Sequence, residues 1–266
     1  MFRPASSALV VLIIWILLEI VSNFVQQTPP DVKMKLLSKL GSFGKHLFPS
    51  RYETGDMLKN YIIAQWGPYI IGNPKYISED FYAEIIEEAK KYVQADSIVL
   101  DVGCATGRLV FEYEKLGARS AVGMDMSRKL IDFCKKIQKK QIQTVSYPFD
   151  SRVSTFVEGD VLAMDFKYQF SFLSCVNVID RVKNPLLLVK KCADLLEKDG
   201  VALFVSPYDW NFSPASKSLR ISDTKNLFDR KSWDIIGERW LPLNMPIEKG
   251  TKLYDCHLVV ARKISR

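Results

Sequence analysis

The chain has 266 residues, 48% of them hydrophobic and 25% charged, with a formal net charge of +7. It is long enough for one large domain or two small ones, and it shows neither an internal repeat nor a low-complexity tract. Five scattered cysteines without a CxxC pair, beside only two histidines, argue against a disulfide framework and against a metal site, and no nucleic-acid motif accompanies the modest positive charge.

Residues 8–25, ALVVLIIWILLEIVSNFV, are nearly all apolar. As a helix they would span about 27 Å, enough for a thin bilayer. No small-x-small cleavage site follows, so an uncleaved anchor is the preferred reading; a cleaved signal peptide and a surface or buried helix are the alternatives. Arg3 lies before the run, and Lys33, Lys35, Lys39 and Lys45 lie after it. The positive-inside rule then gives a single-pass membrane protein with the C-terminal side of the span in the cytosol. Pro29-Pro30 reads as a helix stop and linker. Three regions follow: 1–30, anchor and linker; 31–75, basic juxtamembrane segment and first helix; 76–266, the chemistry-bearing domain.

Arg51-Tyr52-Glu53-Thr54 precedes a helical pattern of Met57, Leu58, Tyr61, Ile62, Gln65 and Trp66, ended by Gly67-Pro68. From spacing alone, Tyr52 and Glu53 are capping and packing residues. Ser78-Glu79-Asp80 caps a second helix to about Tyr92. Then comes the central stretch: an apolar run from Ile98, Asp101 at its end, the small-residue turn Gly103-Cys104-Ala105-Thr106-Gly107, and a helix with apolar period. This is the strand–turn–helix of a nucleotide-type site.

A second strand runs from Arg119 to Asp125, whose carboxylate, about 20 residues past the turn, is placed for ribose hydroxyls. Ser127 caps a helix with a basic outer face. Thr155 to Glu158 is the third strand. Asp160 just after it is either a turn residue or an acceptor for an adenine amine. Phe170 to Val178 is the fourth strand, followed by Ile179-Asp180-Arg181 and a helix starting at Asn184-Pro185. Asn177, at the strand's C-terminal end, either meets a ligand or satisfies loop backbone. Asp199-Gly200 turns into a fifth strand, Val201 to Val205, before Ser206-Pro207-Tyr208. Strands near Ile235–Leu241 and Tyr254–Ala261 complete a Rossmann-like, mostly parallel α/β sheet of seven strands, with the last strand antiparallel.

A dinucleotide fingerprint would need glycines where Ala105 and Arg108 stand, and no P-loop occurs. A carboxylate at Asp101 disfavours a bound phosphate and suits a ligand carrying an ammonium.

DVGCATG, GMD and EGD resemble the S-adenosylmethionine (SAM) motifs of class I methyltransferases. The resemblance implies that Asp101, Gly103, Cys104, Ala105 and Gly107 hold the amino-acid end of SAM. It likewise assigns Asp125 to the ribose, Asp160 to the adenine, and Met126, Val161 and Asn177 to the same cofactor site. RYET, DVGCATGR, NVIDRVKNP and VSPYDW together are similar to the 4-mercaptohistidine N1-methyltransferase domain of ovothiol synthesis. NVIDR also resembles the seven-strand protein-histidine N-methyltransferases. Both relatives methylate an imidazole nitrogen. The expected protein is therefore a membrane-anchored, SAM-dependent methyltransferase acting on a small imidazole. Asn177, Asp180 and Tyr208 are its catalytic candidates, and Tyr52, Glu53 and Arg181 its candidate substrate residues. A protein-histidine acceptor, a lipid or quinone acceptor, and a non-catalytic SAM-binding scaffold are the alternatives.

Overall fold

The computed structural model describes residues 54–72, 80–211, 213–247 and 250–264. The apolar run 8–25, the juxtamembrane segment, and Tyr52 and Glu53 lie outside these residues. Among the described residues no helix is long and apolar enough to cross a membrane.

Five α-helices and seven strands occur among the described residues. In chain order they are α1 (Gly55–Trp66), α2 (Phe81–Ala89), β1 (Ile98–Val102), α3 (Arg108–Lys115), β2 (Ser120–Asp125), α4 (Arg128–Gln138), β3 (Ser154–Glu158), β4 (Phe170–Val176), α5 (Pro185–Leu195), β5 (Leu196–Ser206), β6 (Trp233–Ile247) and β7 (Gly250–Lys263). The helices begin where capping chemistry predicts. Thr54, Asp80, Ser127 and Asn184 each accept a backbone N–H of the following first turn.

The sheet order is β3-β2-β1-β4-β5-β7-β6. β1 to β5 pair in parallel, while β7 runs antiparallel to both β5 and β6. Alternation along each strand divides the core in two. Val99, Ala121, Phe172, Leu203 and Val260 face a layer with Ile85, Leu109 and Ile131 of α2, α3 and α4. Leu100, Val122, Leu173, Phe204 and Val259 face Leu188 and Cys192 of α5. All five cysteines are buried free thiols.

Five elements differ in extent from the sequence expectation by more than one residue. β4 stops at Val176, not Val178, because Asn177 takes a left-handed φ of 58° and turns its N–H to the Val205 carbonyl of β5 at 2.8 Å. β5 starts at Leu196 rather than Val201. The predicted Asp199-Gly200 turn is a kink inside it, with Asp199 at φ 61° and a register shift between Phe170 and Phe172 on β4. β6 and β7 are far longer than expected, 15 and 14 residues. α2 ends at Ala89 instead of about Tyr92.

Candidate active site

The reversal of strand order between β1 and β4 opens a crevice at the C-terminal strand ends, the place where open α/β sheets bind ligands. The turn from Gly103 to Gly107 forms one lip. Gly103 and Gly107 have φ of 71° and 84°, and Ala105 is also left-handed at 48°. A Cβ on Gly103 would sit 2.4 Å from Val178 Cγ2, so the turn and the loop after β4 touch only because glycine is there. A Cβ on Gly107 would lie 2.7 Å from the Phe156 ring and 2.8 Å from Cys134 Sγ. Gly107→Ala is therefore expected to cost about 2–4 kcal/mol, combining left-handed strain with overpacking. Urea unfolding of the variant checks this; an unchanged midpoint would contradict the packing described.

The turn is bound from two sides. Asp125, at the end of β2, accepts the Ala105 N–H at 3.0 Å and the Ser127 N–H at 2.8 Å, tying the turn to the start of α4. On the other side, α1 ends in two residues that read the turn's carbonyls. Gln65 Nε2 donates to Cys104 O at 3.3 Å, and Trp66 Nε1 donates to Thr106 O at 3.1 Å. Thr106 Oγ1 donates to Gln65 Oε1 at 2.5 Å. Arg108 is 1% exposed. Its guanidinium donates to the Gln65 carbonyl at 3.0 Å and forks onto the Asp80 carboxylate, which also caps α2. It lies over the rings of Tyr69 and Tyr82 as well. In the sequence Arg108 excludes a dinucleotide and closes the DVGCATGR motif, whereas Gln65, Trp66 and Asp80 do not stand out as site residues. The available signal was a polar Gln-Trp pair at the end of an otherwise apolar helical stripe.

Asp101 is buried, with its side chain on the core face that carries Val99. The parallel register sets Ser174 of β4 beside it, and Ser174 Oγ donates to Asp101 Oδ1 at 2.6 Å. Burial pushes the Asp101 carboxyl up to about 7; the Ser174 hydrogen bond works against that rise and the nearby charge of Asp125 adds to it. Thus Asp101 lies beneath the turn, while Asp125 is the carboxylate that holds the turn itself. Asp160, past β3, accepts the Leu162 N–H at 3.0 Å and forms a turn there. The neighbouring Gly159 N–H donates to Asp125 O at 2.9 Å, so Asp160 and Asp125 share one edge of the crevice. Met126 is 60% exposed there, whereas Val161 is in the core.

The opposite lip follows β4. Asn177 Oδ1 is buried without a hydrogen-bond partner, and so are both carboxylate oxygens of Asp180. Asn177 Oδ1 therefore does not satisfy loop backbone, one of the two roles its position allowed. Burial raises the Asp180 carboxyl to about 6, opposed by the Arg181 guanidinium 3.6 Å away. Arg181 does not point its charge at open solvent: Nη1 donates to Asp209 O and to Asn211 O, at 2.5 and 3.1 Å. Asp209 Oδ2 takes Lys252 Nζ at 2.9 Å and Tyr254 Oη at 2.7 Å, which holds its carboxyl well below the usual range despite partial burial. Tyr208 has a left-handed φ of 51°, and its hydroxyl meets His257 Nδ1 and Thr224. Asp209, Lys252, Tyr254 and His257 were not singled out from sequence, because the long hairpin that brings them to β5 was not visible there.

The profile of the family described as "Methyltransferase domain" matches residues 75–244. The chain belongs to this methyltransferase family. Its domain is of the methyltransferase class, and the crevice of small residues and acids would suit a cationic cofactor. Among curated proteins, this methyltransferase is 33% identical over 114 residues to a ubiquinone biosynthesis O-methyltransferase of Coxiella burnetii, covering 43% of this chain and 44% of that protein. A protein of the same name from Actinobacillus pleuropneumoniae is 31% identical over 106 residues, 40% of this chain and 44% of its own length. The methyltransferase thus spans less than half the length of the curated relatives it matches. Among solved structures, N-methyltransferase NodS of Bradyrhizobium japonicum WM9 aligns with a TM-score of 0.52 at 12% identity, over 71% of this chain and 99% of that one. Its complex with S-adenosyl-L-homocysteine aligns with a TM-score of 0.51 at 14% identity, over 73% and 93%. These likenesses establish the shared fold.

Proposed function

We propose that this methyltransferase N-methylates an imidazole, as in a histidine-derived small molecule. The observation carrying the reading is the pair of unpartnered buried acceptors, Asn177 Oδ1 and the Asp180 carboxylate, across the crevice from the glycine turn. Buried acceptors without donors are costly, and a ligand that brings N–H groups relieves them. SAM supplies an electrophilic methyl on a cationic sulfur. The backbone of Gly103 to Gly107, with Asp125 and Asp160, would hold it, and Asp101 would sit as a buried carboxylate under its ammonium end. Cys104 and Ala105 belong to the turn and Met126 is exposed at the same edge, with Val161 packed in the core behind it.

A neutral imidazole presents one N–H and one lone pair. Asp180 accepts the N–H, fixes the tautomer and stabilises the cation formed. Asn177 orients the ring so that the lone-pair nitrogen faces the methyl, an orientation effect worth up to about 7–11 kcal/mol in favourable cases. Arg181 keeps Asp180 in place and ties the 209–211 loop to it, while Tyr208 walls the pocket. In this reading residues 8–25 tether the enzyme to a membrane.

A second reading is O-methylation, the reaction in the names of the relatives above, with a phenol-type acceptor and Asp180 as general base. One experiment separates the two. Purified enzyme is incubated with methyl-labelled SAM and, in parallel, small imidazoles, histidine peptides, a catechol and a membrane lipid extract. Label is expected in the imidazole product. Label confined to the catechol or lipid fraction overturns the first reading.

A further inference from the structure

His257 is a buried titratable group for which the chemistry above has no use, and its surroundings define its state. It is 1% exposed, on β7, with the Trp240 ring stacked on it at 4.5 Å. Glu238 Oε1 lies 2.9 Å from Nε2. A carboxylate only accepts, so Nε2 carries a proton, and in the neutral ring Nδ1 offers its lone pair. Tyr208 Oη, 2.5 Å from Nδ1, donates to that lone pair. The Thr224 N–H donates to Tyr208 Oη at 2.6 Å, and Thr224 Oγ1 stands 2.8 Å from it. The phenol hydroxyl is thereby saturated: one bond donated and two accepted. The other charged groups here are Asp223, 3.8 Å from Nδ1, and Lys225, which pairs with both Asp223 and Glu238.

This network grips one residue of the turn after β5. Tyr208 has the left-handed backbone that bulky residues rarely adopt. The rest of the turn is held by the acceptor side: the Asn177 N–H bonds Val205 O, and Arg181 bonds Asp209 O. We propose that His257 is a positioning residue for methyl transfer: oriented by Glu238, it fixes the Tyr208 side chain, and with it the Ser206–Asp209 turn that walls the acceptor site. The proposal rests on reading Asn177 and Asp180 as the acceptor side.

Steady-state turnover of labelled SAM is compared in His257→Phe, His257→Asn, Tyr208→Phe and the His257→Phe/Tyr208→Phe pair, with L-histidine and a catechol as acceptors. Because displacement of a wall misplaces the reactants, His257→Phe is expected to lower kcat roughly 10- to 100-fold with the SAM Kd unchanged within about twofold. Asparagine offers an amide oxygen near the Nδ1 position and should restore most of the rate. With Tyr208→Phe already present, His257→Phe should add less than about a twofold loss. Full activity in His257→Phe, no recovery in His257→Asn, or independent multiplicative losses would each overturn the proposal. Since phenylalanine could unfold the chain, Glu238→Ala at the exposed end of the network supplies a second variant, with the same direction of effect. Imidazole 15N resonances of histidine-labelled protein should show a neutral Nε2–H tautomer at His257 whose Nδ1 signal shifts in Tyr208→Phe; an Nδ1–H tautomer overturns the proposal. A wild-type enzyme that methylates only the catechol would instead overturn the imidazole reading, and the His257 comparison then runs on that acceptor.

Discussion

Asp180→Asn is expected to lower kcat by about a hundredfold to ten-thousandfold, the usual range for loss of a positioned proton acceptor, with SAM affinity retained. Asparagine keeps the shape but cannot hold a negative charge opposite the forming cation. The same substitution should stabilise the fold. Burial pushes the folded Asp180 carboxyl up to about 6, above its ordinary value of 3.8. Ionisation therefore favours the unfolded chain. Stability is complete below the unfolded pKa, falls as pH rises towards 6, and stays low above it. The difference between 3.8 and about 6 corresponds to about 3 kcal/mol at neutral pH. Asp180→Asn should recover an amount of that order at pH 7 and almost nothing at pH 4, as read by urea unfolding. An equal effect at both pH values would contradict a buried carboxylate without a hydrogen-bond donor. The stability measurement is cleaner than a pH–rate profile, because an imidazole acceptor itself titrates near 6.5. A buried carboxylate that weakens the fold is a familiar signature of function.

Arg108→Met is expected to destabilise the protein by about 3–5 kcal/mol, the range for breaking a buried ion pair by removing one partner. Methionine fills much of the volume, so the effect isolates polar loss rather than a cavity. The Asp80 carboxylate would lose its forked partner and the Gln65 carbonyl its donor. Since Gln65 and Trp66 hold the carbonyls of the glycine turn, loosening α1 should also weaken SAM binding. Calorimetry of SAM binding and urea unfolding test both parts. Asp80→Asn, which keeps one acceptor for the guanidinium, should cost clearly less. Equal losses in the two variants would mean that the pair is not the anchor described.

Most of the β–α alternation was legible in the sequence because its signals are local. Apolar β-branched runs mark β1, β2 and β4, and Thr54, Asp80, Ser127 and Asn184 mark helix starts. The glycine turn was legible for the same reason, since Gly103 and Gly107 are required by local φ and close approach. The C-terminal hairpin was not. Pro242 and Pro246 interrupt the pattern of β6, and the extended pairing is set by its partner β7 rather than by its own residues.

By itself, then, the sequence determined the strand–turn–helix of the cofactor crevice and the order of acids along its edge. Only the tertiary structure decided how each polar group is employed. It buried Asp101 against Ser174, made Arg108 the bolt between α1, Asp80 and the turn, and left Asn177 and Asp180 without donors. It also carried His257 from the far end of the chain to Tyr208. The reason is physical: turns and caps are fixed by backbone dihedrals a few residues apart, whereas burial and hydrogen-bond partners depend on strand neighbours that sequence spacing does not encode.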